Sequence, residues 1–127
     1  MILSGLEEIA SLCANLPTMS AGDKLIIYGQ SATRTNRVLW MASELGIPFE
    51  LRPLPLLDPG FDEINPNRKQ PCIVDTDGTT VFESMACNLY LLRKCAGKNE
   101  ITPNDLNEEA KVLQWSVWAI SELDMRL

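Results

Sequence analysis

The chain of 127 residues contains no histidine. That absence removes serine or cysteine triads that rely on imidazole, and it leaves a zinc site in need of an unusual ligand set. Cysteines are few, at Cys13, Cys72, Cys87 and Cys95, and no two of them form a CxxC pair. Four reduced thiols in a reducing compartment are the expected state, with no metal. Basic residues are also short: 11 Lys and Arg stand against 17 Asp and Glu, for a net charge of -6. With a sequence pI of about 4.6, nucleic acid and anionic membrane surfaces are disfavoured as partners. No apolar run approaches the roughly 20 residues a membrane span needs. The opening "MILSGLEEIASLCANL" has no basic leader region and carries Glu7 and Glu8 early, so no signal peptide is expected. These absences together point to a cytoplasmic protein. Internal repeats and low-complexity tracts are missing too.

What is present fits a single compact unit. Hydrophobic residues make up 46% of the chain and charged residues 22%, ordinary values for a globular protein. Ser4-Gly5-Leu6-Glu7 reads as a capping box. It is followed by Leu6, Ile9, Ala10, Cys13 and Leu16 at helical spacing and by the linker "PTMSAGD", so residues 1–23 are expected to form a helical extension and linker. "KLIIYG" predicts a buried strand. "TRTNRVLWMASELGIP" predicts a helix with Val38, Leu39, Ala42 and Leu45 on its apolar face, closed by Gly46 and Pro48. "FELRPL" then predicts a second strand, parallel to the first through a right-handed crossover. "DPGFDEINPN" reads as loop or broken helix. "CIVD" and "TTVFE" flank Asp77-Gly78, a signal for a tight hairpin on a primed turn. A helix opening at Ser84 follows, with Met85, Ala86, Leu89, Leu92 and Cys95 as apolar residues and Gly97 at its end. Past Gly97, Thr102 is the expected N-cap of a last helix, with Pro103 at N1 and Asp105 at N3. On that helix Val112, Trp115, Ile120 and Leu123 crowd toward one side, near Trp118.

Two short stretches carry chemistry. Pro71 stands where a strand ought to begin, and a proline there breaks a ladder unless the local geometry is special. A cis Gln70-Pro71 bond would leave the N–H and C=O of Gln70 free at a sheet edge, a docking place for an extended peptide. Glu83-Ser84 complements it. Ser84 opens a helix whose N-terminus favours a carboxylate, and Glu83 offers an acceptor for an ammonium. The pair matches an α-amino-carboxylate head.

With these motifs in place, "KLIIYG…TRTNRVLWMASELGIPFE", "NPNRKQPCIVD" and "VFESMACNLYLLRK" resemble the N-terminal, thioredoxin-like domain of cytosolic glutathione transferases. "ITPNDLNEEAKVLQWSVW" resembles the opening of that family's helical second domain. The resemblance implies an α/β, thioredoxin-like β-α-β…β-β-α mixed sheet over residues 24–97. Residues 98–127 would be the start of an all-α domain whose further helices are missing. It also implies a site for glutathione: Pro71 as the cis proline, the Gln70 main chain against the cysteinyl part, Glu83 and Ser84 on the γ-glutamyl end, and Lys69 toward the glycyl carboxylate.

The thiol would lie over "GQSATRTNRV". Serine-type members carry a hydroxyl about five residues before the valine, a position held here by Thr33, with Ser31 as the alternative. Its role would be to donate a hydrogen bond to the sulfur and so favour the thiolate nucleophile. Arg34 and Arg37 would add positive potential. Cys72 reads as a buried strand residue. The implied activity is attack of glutathione on a small electrophile, by conjugation or by addition–elimination isomerisation, in a homodimer. The alternative is a non-catalytic glutathione-binding or dimerisation module that lacks most of the electrophile pocket.

Overall fold

The computed structural model describes residues 24–124. The helix expected over Leu6 to Leu16, its capping box, its linker and Cys13 lie outside the described residues.

The elements run β1 (Leu25–Tyr28), α1 (Thr35–Glu44), β2 (Phe49–Arg52), a one-turn α2 (Phe61–Ile64), β3 (Cys72–Val74), β4 (Thr80–Phe82), α3 (Ser84–Lys94) and α4 (Leu106–Trp118), which passes into a π-helical turn, Ala119–Leu123. The four strands form one sheet in the order β2-β1-β3-β4. β1 pairs with β2 in parallel, while β1–β3 and β3–β4 are antiparallel. This is the mixed β-α-β…β-β-α sheet that the sequence predicts.

Period-2 alternation sorts β1 onto two faces. Leu25 and Ile27 are buried with Val38, Ala42 and Leu45 of the first helical segment, Ile73 of β3, and Cys87, Leu91 and Leu92 of α3. On the other face the Tyr28 ring meets the buried Phe61 edge to face, centroids 5.3 Å apart. Phe61 is thus the reason the proline- and glycine-rich stretch folds into a helical turn at all: it buries an aromatic ring that a solvated loop would expose. α1 closes in a Schellman arrangement, with Ile47 N–H donating to Ala42 and Gly46 N–H to Ser43.

Three local features differ from the sequence reading or add to it. The buried face of α3, which that reading left unassigned, is Cys87, Leu91 and Leu92, and Ala86 is exposed. α3 must cover both β3 and α1, which rotates its inner stripe away from the most apolar-looking one. The β3–β4 connection is three residues long: Asp75 N–H donates to Thr79 and Gly78 N–H to Asp75. Among its residues only Gly78 has positive φ, at 86°, so this is a type I turn closed by a left-handed glycine rather than a two-residue primed turn. Asp77 Oδ1 accepts from Thr79 N–H at 2.9 Å, which favours this wider form.

The third difference is the cap of α4. Asp105 is the N-cap, its Oδ1 accepting from Glu108 N–H at 2.9 Å. Thr102 is buried, and its hydroxyl instead donates to Asn99 C=O at 2.7 Å. α4 itself contributes no buried residue, and Trp115 and Trp118 are 58% and 46% exposed, stacked edge to face on each other.

Candidate functional site

Three segments meet beyond the C-terminal end of β1: the loop 29–34, the turn 65–71 that enters β3, and the start of α3. The Gln70-Pro71 peptide bond is cis. β3 is an internal strand, so Gln70 sits at a strand's end rather than at the edge of the sheet. Its neighbours have already turned away. β1 pairs no further than Tyr28 opposite Cys72, and β4 pairs no further than Phe82. The main-chain N–H and C=O of Gln70 therefore have no hydrogen-bond partner among the described residues, and Pro71 beneath them is buried.

Glu83 joins β4 to α3 with φ 73° and ψ 123°. A non-glycine residue in this region costs on the order of 1–3 kcal/mol and persists only where its surroundings over-determine it, which happens most at functional sites. The conformation turns the chain from strand into helix within one residue. It leaves the Glu83 carboxylate exposed, held through Oε1 by Asn67 Nδ2 at 3.3 Å. The other carboxylate oxygen has no partner among the described residues. No side chain caps α3, so the first-turn N–H groups of Ser84 and Met85 are left without a side-chain acceptor. Ser84 is buried, and its hydroxyl accepts from Arg37 Nη1 at 3.3 Å, which leaves its own proton available.

The turn that presents Lys69 and Gln70 is held from within. Asn65 is fully buried; its Nδ2 donates to Lys69 C=O at 2.7 Å and its Oδ1 accepts from Asn67 N–H at 3.1 Å. Arg68, at φ 49°, spreads its guanidinium over Asp62, Leu56 C=O at 2.7 Å and Asp58 C=O at 3.2 Å, and so staples the preceding loop to the turn. The Lys69 ammonium is exposed, with no partner among the described residues.

In the loop 29–34 the two hydroxyls differ. The Thr33 hydroxyl lies 2.7 Å from Gln30 C=O and 3.0 Å from Thr35 Oγ1, and it accepts from Thr35 N–H at 3.3 Å. Its single proton is used inside the loop. Ser31 is exposed and its hydroxyl is unpaired among the described residues.

Arg34 and Arg37 do not stand as free positive charges. Both converge on Asp124, at 2.9 Å and 2.5 Å, and they hold its carboxyl below the usual carboxylate range, the Arg37 hydrogen bond being the largest cause. One carboxylate offsets half of the local positive charge, an arrangement 90 residues apart in sequence that no local pattern announces. Burial pushes the Cys72 thiol up to about 11 and the Cys87 thiol to about 12. Burial thus favours the protonated thiol at both positions and disfavours them as nucleophiles.

Hydrogen bonds thus bring the segments carrying these residues together: Gln30 N–H to Gln70, Asn67 to Glu83 and Arg37 to Ser84, with Lys69 beside Gln70 and Ser31 and Thr33 on the loop that Gln30 opens. Sequence reading missed Asn65, Asn67 and Asp124. The "NPN" run carried an Asx-turn signal for the first of these; Asp124 had none.

The profile of the family described as "Glutathione S-transferase, N-terminal domain" matches residues 33–94. Among curated proteins, Glutathione S-transferase 3 of Schizosaccharomyces pombe is 28% identical over 115 residues, 80% of this chain and 47% of that protein. Glutathione S-transferase theta-3 of Mus musculus is 38% identical over 82 residues, 61% of this chain and 34% of the mouse protein. The chain therefore spans about half or less of the length of these relatives. A solved structure of Ure2p in complex with glutathione superposes with a TM-score of 0.71 over 81% of this chain and 51% of that one. At 22% identity that likeness is one of fold.

Proposed function

From a chain that belongs to the glutathione transferase family, we propose a glutathione site in the cleft between Gln70 and Glu83-Ser84. The observation that carries this reading is the pairing of two unspent features: the free main-chain groups of Gln70 and the strained Glu83 at an uncapped helix start. The γ-glutamyl carboxylate takes the N–H groups and hydroxyl at Ser84, and its ammonium takes Glu83. The cysteinyl residue adds to the Gln70 main chain as a short strand would, and Lys69 reaches the glycyl carboxylate. Residues 24–97 form this glutathione-binding unit and residues 98–127 open a second, helical one.

The activity proposed is activation of the glutathione thiolate for attack on a small electrophile, with glutathione as co-substrate. Ser31 is the hydroxyl with a free proton to donate to the sulfur; Thr33 must first give up its bond to Gln30. That same engagement of Thr33 favours a second reading, a glutathione-binding module without catalysis. A homodimer in the cytoplasm completes the proposal, motivated by the exposed apolar side chains of α4 and by the unpaired Cys72, Cys87 and Cys95; a single-chain mass by light scattering would remove the dimer from it. No described helix is long and apolar enough to cross a membrane.

Calorimetry and far-ultraviolet thiolate absorbance test both readings together. Wild-type protein binds glutathione. Glu83→Ala weakens binding about 10–100-fold, the worth of a hydrogen bond to a charged group, with unfolding free energy changed by less than about 0.5 kcal/mol. Unchanged affinity would refute the ammonium role. Thiolate absorbance that disappears in Ser31→Ala identifies the donor; disappearance in Thr33→Ala instead returns the role to Thr33. Binding with no thiolate signal in the wild type selects the module without catalysis.

A further inference from the structure

We propose that the Gln70 side chain is a latch that positions the thiol-facing loop, a role separate from the main-chain contact assigned to the same residue. The inference rests in part on the glutathione reading above, because it deepens that site. Its geometric part stands without it.

Gln30 N–H donates to Gln70 Oε1 at 2.8 Å, across 40 residues of sequence. On the other side of the same residue, Gln30 C=O accepts from the Thr33 hydroxyl at 2.7 Å and from Thr33 N–H at 3.1 Å. Gln30 is therefore bonded through both of its peptide groups: one to the turn that enters β3, the other to the loop's own hydroxyl. Gly29 before it is anchored as well, its N–H donating to Arg52 C=O at 2.8 Å. The β1–β2 ladder register ends at Tyr28 opposite Arg52, and β1 pairs β3 no further than Tyr28. From Gln30 onward no strand holds the loop, and the Gln70 amide is the one hydrogen bond among the described residues that ties Ser31 and Thr33 to the opposite wall of the cleft.

The consequence is a coupling between the two walls. A tripeptide laid on the Gln70 main chain meets a loop whose distance from that main chain is set by Gln70's own side chain. An apolar residue at position 70 would keep the main-chain contact and lose the tie, so the loop's hydroxyls would sample positions away from the sulfur. Gln70 acts through Gln30 and the loop, which makes its side chain a positioning group and not a catalytic one.

Gln70→Met keeps the length of the side chain and removes its amide, the acceptor oxygen included; the amide nitrogen makes no hydrogen bond among the described residues. Gln70→Glu keeps an acceptor. In the ligand-free protein, hydrogen exchange read by NMR should show the Gln30 amide exchanging about tenfold faster in Gln70→Met, the equivalent of one net hydrogen bond. Amides of Ile27 and Ile73 in the sheet should hold their wild-type rates, and Gln70→Glu should restore protection at Gln30. With glutathione bound, Gln70→Met should cut the thiolate fraction at neutral pH by about threefold or more, seen as a titration displaced to higher pH. An unchanged Gln30 rate in Gln70→Met overturns the latch. A faster Gln30 rate with an unchanged thiol titration overturns its role toward the sulfur. Failure of the wild type to bind glutathione at all overturns the binding reading instead, and the exchange comparison still decides the latch.

Discussion

Gly29→Ala is expected to cost about 3 kcal/mol or more of folding stability, a large fraction of the roughly 5–15 kcal/mol that keeps a domain folded. A Cβ at this position would lie 2.1 Å from Thr35 Oγ1 and 2.9 Å from its methyl carbon. Neither neighbour can yield. Thr35 is fully buried and its hydroxyl is bonded to Thr33, while the Gly29 N–H is fixed to Arg52 C=O. The backbone there, at φ 149°, is also one that L side chains rarely adopt. Urea unfolding gives the number. Adding Thr35→Ala removes the two closest atoms, so the double variant should be less damaged than the two singles sum to, by about 1 kcal/mol or more. Additive effects would show that backbone strain, not the clash, carries the penalty.

The second large effect belongs to Asp75, a buried carboxylate at the foot of the β3–β4 hairpin. It accepts from Lys94 Nζ at 2.5 Å, from the Tyr90 hydroxyl at 2.5 Å and from Thr76 N–H at 2.7 Å. Burial pushes its carboxyl up, but the Lys94 and Tyr90 bonds, with the Thr76 N–H, outweigh that and hold it below its ordinary value of 3.8. Tyr90 in turn is pushed up to about 12, by burial first and then by the bond to Asp75. Asp75→Ala leaves the phenol without its acceptor and Lys94 without its counter-charge. Because Lys94 is 41% exposed and can turn to water, the expected loss is about 2–3 kcal/mol rather than the larger penalty of a sealed ion pair. The sign with pH follows from the depressed carboxyl. Its stabilisation is fully present above the unfolded-state pKa and is lost as pH falls through the lower folded-state value. The gap between wild type and Asp75→Ala, measured by urea unfolding, should therefore be widest at neutral pH and close in acid. A gap that stays constant down to pH values below the folded pKa would mean that packing, not charge, sets the loss.

Much of this molecule was legible in one dimension. The short apolar run bounded by a glycine in "KLIIYG" sufficed for β1, while which of its residues face the helices, Leu25 and Ile27, was decided by the fold. Gly46 and Pro48 stopped α1 for purely local steric reasons. Gln70-Pro71 and Glu83-Ser84 could be read as a pair, because proline's missing donor and the open N–H groups of a helix start are properties of those residues wherever they occur. The inner stripe of α3 could not be read from its apolar residues, since which side of a helix is buried depends on where β3 and α1 lie. The cap of α4 was misjudged: Thr102 and Asp105 were equally able to serve, and the buried bond to Asn99 took the threonine.

What sequence alone determined, then, was the element order and the mixed β-α-β…β-β-α sheet, set by backbone sterics and short-range periodicity, while the residues of the candidate site were named by their own chemistry. Tertiary structure decided which polar groups find partners. The Gln70 amide on Gln30, the two guanidiniums on Asp124 and Lys94 and Tyr90 on Asp75 are contacts between groups that only folding brings within 3 Å or so of each other. A hydrogen bond requires distance and direction, and neither is encoded by the identity of one partner.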